Sequence, residues 1–69
     1  NKADVNRQSN SGSSALMEAA IEGRTDTVKL LLENGADPEL IDAFGRTALL
    51  GARREGYQDI VQLLEEADQ

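Results

Sequence analysis

Sixty-nine residues carrying a net charge of −6, with 39% apolar side chains, one Phe, one Tyr and no Trp, allow one small domain with a thin core. Without Cys or His the chain has no disulfide, no thiolate or imidazole chemistry and no ordinary zinc site, so a non-enzymatic role without cofactor or metal is expected. The acidic balance argues against nucleic acid, and the apolar run Leu30 to Leu32 is far too short to cross a bilayer. A core this small is expected to lean on a neighbouring surface.

In chain order, the stretch from Val5 to Gly12 is rich in Asn, Ser and Gln, and reads either as a linker or as a polar hairpin-like finger. Ser14 then offers a hydroxyl to the free N–H groups of a helix predicted over 15–22, with Leu16, Ala19 and Ala20 on one face. Gly23 stands where a left-handed residue ends that helix. A second helix is predicted over 26–34, with Val28, Leu31 and Leu32 as an i, i+3, i+4 stripe; Gly35 stops it, and Asp37-Pro38 begins an extended turn. A finger over 38–46 follows, tight at Ala43-Phe44-Gly45. Thr47 caps a third helix over 48–55, Gly56 ends it, and a fourth runs over 59–67 with Val61 and Leu64. Gly51, inside the third helix, costs about 1 kcal/mol relative to Ala.

These elements repeat. Shifting the chain by 33 residues leaves fourteen identical pairs, among them Ala3-Asp4 on Ala36-Asp37, Gly12 on Gly45, Ala15-Leu16 on Ala48-Leu49, Glu22-Gly23 on Glu55-Gly56 and Leu30-Leu31 on Leu63-Leu64. Composition alone gives about three. The expected fold is all-α with hairpin-like loops: a helix-turn-helix solenoid of two stacked antiparallel helix pairs.

Gly45-Arg46-Thr47-Ala48-Leu49, Glu55-Gly56-Tyr57 and Asp59 to Leu64, matched by Gly12 to Leu16 with Ala19-Ala20, Gly23 and Val28 to Leu32, resemble the ankyrin repeat. Asn34-Gly35-Ala36-Asp37 is similar to the family's Gly-Ala-Asp punctuation. The resemblance divides the chain into the end of one repeat (1–8), a complete repeat (9–41) and a terminal repeat (42–69). Where the family often has Pro and His after the capping Thr, this chain has Ala15 and Met17, then Ala48 and Leu50, so apolar packing replaces that hydrogen-bonded network. Arg53, in the place of Ala20, must turn its stem outward. Glu65, Glu66 and Asp68 follow where Leu32 is apolar, as a solvent-facing C-terminal cap requires, although they also suit a solvated helix end. Asn1 begins within a repeat, and the expectation is that Leu16 and Val28 present an uncapped N-terminal face to upstream repeats or to another chain.

The resemblance implies a protein-interaction module that uses finger tips and the exposed face of the first helices. The positions are Asn10, Ser11 and Ser13, then Ala43, Phe44 and Arg46 on the fingers, with Ile21, Glu22, Arg54 and Glu55 on the helices. Phe44 could instead fold back on Leu40 and Leu49, and Ile21 could close against the neighbouring helix. Arg46, Arg53 and Arg54 form a local group of cations that favours an acidic partner protein or peptide, or simply balance an acidic surface. The alternative function is an assembly element that stacks on another copy or on upstream repeats through Leu16 and Val28. A third is regulation of an attached catalytic domain. Asp37, Glu39 and Asp42 lack the spacing of a calcium loop, and Asp26 and Asp59 suit helix N-termini. The absence of Cys fits an intracellular, cytoplasmic or nuclear setting.

Overall fold

The computed structural model describes residues 5–67. Ala3, Asp4 and Asp68, used above for the period and the cap, lie outside them. Among the described residues there are four helices and no strand: α1 (Ala15–Glu22), α2 (Thr25–Glu33), α3 (Ala48–Glu55) and α4 (Gln58–Ala67). Each first helix packs on its own second helix, α1 lies against α3, and α2 lies against α4, giving two layers of two.

Local chemistry sets the ends. The Ser14 hydroxyl accepts from the Met17 N–H at 3.3 Å and Thr47 Oγ1 from the Leu50 N–H at 3.2 Å, so both first helices start on a side-chain cap. Both stop at a glycine, Gly23 at φ 76° and Gly56 at φ 81°, a conformation that Cβ-bearing residues resist. The second helices begin one residue earlier than expected, at Thr25 and Gln58, and Asp26 and Asp59 fall in their first turns beside the positive dipole end. The α2 stop is reinforced by Asn34, whose side-chain amide donates to the Leu30 carbonyl at 2.7 Å.

The core is made of Leu16, Met17, Ala19, Ala20 and Val28 from the first pair with Ala48, Ala52, Ile60, Val61 and Leu64 from the second. Val5, Leu31, Leu32, Leu40, Leu49 and Leu63 pack around it. Many small side chains at the α1–α3 contact let the helices approach closely, which is how few large residues suffice. One expectation is corrected here. Leu16 and Val28 are fully buried within the chain and present no exposed N-terminal face.

The repeat supplies an internal comparison of what stacking covers. On the N-terminal side, Ala15 and Thr27 are exposed where their equivalents Ala48 and Ile60 are buried, and Leu30 is 58% exposed where Leu63 is half-buried. On the other side Met17 and Ala20 are buried, whereas their equivalents Leu50 and Arg53 are exposed. Glu65 stands in the place of Leu32, and its carboxylate accepts from Arg53 at 3.1 Å.

Candidate functional site

The two fingers pack directly on each other. In the first, the Ser9 N–H donates to the Ser13 carbonyl and the Gly12 N–H to the Ser9 carbonyl, both at 2.8 Å; in the second, Asp42 and Arg46 and then Gly45 and Asp42 repeat the pattern at 3.0 Å. The Ala43 N–H donates across to the Ser11 carbonyl at 2.9 Å. Gly12 makes that approach possible: a Cβ there would lie 2.7 Å from the Ala43 nitrogen and the Asp42 Cα. The Gln8 side-chain amide donates to the Gly12 carbonyl at 2.7 Å and to the Ile41 carbonyl at 2.8 Å, tying the fingers a second time. Below them, Asn6 accepts from the Asp37 N–H at 2.6 Å and donates to the Gly35 carbonyl at 3.3 Å.

Asp42 organises the second finger. Its Oδ1 accepts from the Phe44 N–H at 2.8 Å and the Arg46 N–H at 2.9 Å, and its Oδ2 accepts from Arg46 Nε at 2.9 Å. The side chain is only 6% exposed. The Arg46 N–H, followed by the Phe44 N–H and the Arg46 guanidinium, holds the carboxyl below the usual aspartate range against the opposing pull of desolvation. Arg46 also lies over the Phe44 ring, 4.9 Å from its centroid. Phe44 does not fold back onto Leu40 and Leu49; it stands 76% exposed.

Asn10 and Ser11 are exposed at the first tip, where Ser11 Oγ lies 3.0 Å from Ser9 Oγ; Ser13 is half-buried and spends its carbonyl on the turn. Ala43 is exposed at the second tip. On the helices, Ile21 lies against Gly51, its Cγ1 2.9 Å from where a Cβ would stand, and remains 42% exposed. It therefore closes on the neighbouring helix and still faces solvent. Glu22 is paired with Arg24 at 2.7 Å. Arg54 and Glu55 are exposed, with no ion-pair partner among the described residues.

The local group of cations is largely used up within the chain. Arg46 is matched by Asp42 and Arg53 by Glu65, leaving Arg54 of the three. Sequence reasoning missed Asp42 as a finger organiser, although an Asp opening a tight turn that closes on Gly is its usual signal. It also missed Gln8, which has no signal beyond standing one period before Ile41, and Glu18 and Gly51, which complete the exposed helix stripe. Among the described residues no three acids gather to hold a metal ion; Asp37 Oδ1 caps the Glu39 N–H at 2.9 Å. No helix among them is long and apolar enough to cross a membrane.

Paired helices stacked at a fixed period, with finger loops packed backbone to backbone on one edge, define a solenoid repeat protein. The chain belongs to the ankyrin repeat family: the family model for ankyrin repeats, in three copies, matches residues 1–69. It is 41% identical to YahD of Escherichia coli strain K12 over 66 residues, covering 88% of this chain and 33% of that protein. It is 50% identical to the E3 ubiquitin-protein ligase hecd-1 of Caenorhabditis elegans over 56 residues, covering 81% of this chain and 2% of the ligase. It is also 44% identical to the potassium channel AKT1 of Oryza sativa subsp. indica over 61 residues, covering 88% of this chain and 6% of the channel. The chain thus spans a third or less of the length of these relatives. Ankyrin repeats generally mediate protein–protein interaction, and the family is typically non-enzymatic.

Proposed function

We propose that this chain is a non-catalytic binding module that holds a partner protein or peptide between the second finger tip and the exposed stripe of α1 and α3. The observation that carries this reading is Phe44. A large aromatic ring left 76% in solvent gains little for folding beyond its contact with Arg46, yet its backbone is fixed by Asp42 and by the Ala43–Ser11 bond. A rigid, exposed aromatic is an anchor whose ordering cost is met before a partner arrives. Ile21 supplies a second apolar contact on the helices. The acidic preference expected from three arginines loses most of its support, because two of them are matched internally.

The test is a displayed peptide library panned on the 69-residue chain, with selected peptides rebound to Phe44→Ala. Loss of binding with an unchanged thermal melt supports the reading. Peptides that bind Phe44→Ala and Ile21→Ser as well as the parent refute it.

A second reading, stacking on further repeats, rests on other residues than first expected. Ala15, Thr27 and Leu30 stand exposed at positions whose equivalents are covered one unit later. At the opposite face, the Arg53–Glu65 pair replaces Ala20 and Leu32, which supports the division of the chain with 42–69 as a terminal, solvent-facing repeat. Sedimentation equilibrium of the parent and of Leu30→Glu tests stacking: self-association that Leu30→Glu abolishes supports it.

A further inference from the structure

The stripe across the first helices has a chemistry that selects among partners, given the interaction role proposed above. Glu18, Ile21 and Glu22 are i, i+3, i+4 neighbours on α1, and Gly51, Arg54 and Glu55 are their equivalents on α3. All but the half-buried Gly51 are exposed. Ile21 fills the space that a side chain at Gly51 would take, so it forms one apolar centre across the two helices.

The ion pairs then decide the charge of that partner. Arg24 is matched by Glu22, Arg46 by Asp42 and Arg53 by Glu65. Among the described residues this leaves two unmatched carboxylates on the stripe, Glu18 and Glu55, against one cation, Arg54. They sit in a chain of net charge −6, whose long-range field draws in cations and repels anions. We propose that the stripe binds a peptide segment with a central aliphatic side chain and Lys or Arg on either side. The aliphatic group rests on Ile21, and the flanking cations meet Glu18 and Glu55. This is the opposite charge from the one that the arginine content alone suggests.

The test pans the intact chain with a displayed library whose randomised positions are balanced among Lys, Arg, Asp, Glu and aliphatic residues. Selected peptides are expected to be net positive around an aliphatic centre. A synthetic copy is expected to lose about fivefold in affinity to the double variant Glu18→Gln/Glu55→Gln, as two exposed ion pairs imply. Its salt dependence flattens in that variant, while the thermal melt stays as in the parent. Selected peptides that are acidic or uncharged, or an affinity indifferent to the double variant, overturn the charge assignment. Such peptides still support the interaction reading if Phe44→Ala or Ile21→Ser releases them. Peptides released by neither of those variants refute the reading itself.

Discussion

The finger-to-finger contact can be isolated by a matched pair of substitutions, Gly12→Ala and Gly45→Ala. The two glycines occupy equivalent turns one period apart, at φ 83° and φ 77°. Placing Ala in that left-handed region costs roughly 1–2 kcal/mol at either site. Around Gly45 nothing lies within 4 Å of the added Cβ, so the strain is the whole effect. Around Gly12 the Cβ meets the Ala43 nitrogen and Asp42 Cα at 2.7 Å, and these are backbone atoms that cannot rotate away. Forcing them apart adds about 1–3 kcal/mol, in the range of core overpacking. It also stretches the Ala43 N–H bond to Ser11. Urea unfolding followed by far-UV circular dichroism should therefore place Gly12→Ala below Gly45→Ala by about 1–3 kcal/mol. Against a total stability on the order of 3–10 kcal/mol for this length, that gap is large. Should Gly12→Ala prove too unstable to titrate, amide exchange at Ala43 still separates them, faster in Gly12→Ala alone. Equal costs at the two sites would refute direct packing of the fingers.

Gly51→Ala should be close to neutral alone, because a helix gain of about 1 kcal/mol is offset by displacing Ile21; on an Ile21→Ala background the same change should stabilise by about 1 kcal/mol, read from a double-mutant cycle in urea. Phe44→Ala should alter the unfolding free energy measured in urea by less than about 0.5 kcal/mol, since the ring is mostly in solvent. Asp42→Asn should lower the melting temperature by an amount that depends on pH. The folded carboxyl titrates below its unfolded value, so its contribution is complete above the unfolded aspartate pKa of about 3.9 and is lost as pH falls through the lower folded value. The gap between parent and Asp42→Asn melts should hold steady from about pH 7 to 5 and close below about pH 4, and a gap that widens on acidification contradicts the Asp42 geometry.

The helices were legible because their signals are local. A hydroxyl before an apolar run and a glycine after it fix the ends of α1 and α3 whatever surrounds them. The starts of α2 and α4 were displaced by one residue because Thr25 and Gln58 follow the glycine turn without a side-chain cap that the sequence could announce. Burial was harder to read. Leu16 and Val28 look like the first apolar residues of an open face, but both are buried in the core cluster that Val5 packs against. Arg46 looked available to a ligand because its carboxylate, Asp42, had been considered only as part of an acidic group with Asp37 and Glu39. The oxygens of Asp37 and Asp42 cap backbone N–H groups in their own turns instead. Gln8 was illegible, since its two acceptors are backbone carbonyls that come together only when the fingers stack.

The period makes each position its own control, and this is where sequence and structure inform each other most. Equivalent residues share local geometry, so a difference in burial between them measures stacking alone. Ala15 against Ala48 compares the same residue type, and only the second is covered. Where the residue type changes as well, the change follows the environment: Ile60 is apolar where it is buried, and Thr27 is polar where it faces solvent. Ala20 and Leu32 give way to Arg53 and Glu65, which reach each other at 3.1 Å across the open side of α3 and α4. An exposed pair of this kind stabilises by only about 0–1 kcal/mol, so stability is a poor reason for it. Another helix pair stacked there would have to desolvate both charges. Leu30 is the counterexample that sharpens the point. It remains apolar and 58% exposed on the N-terminal side, where no such charge pair stands among the described residues. The two outer faces of the described helix pairs are therefore chemically unlike.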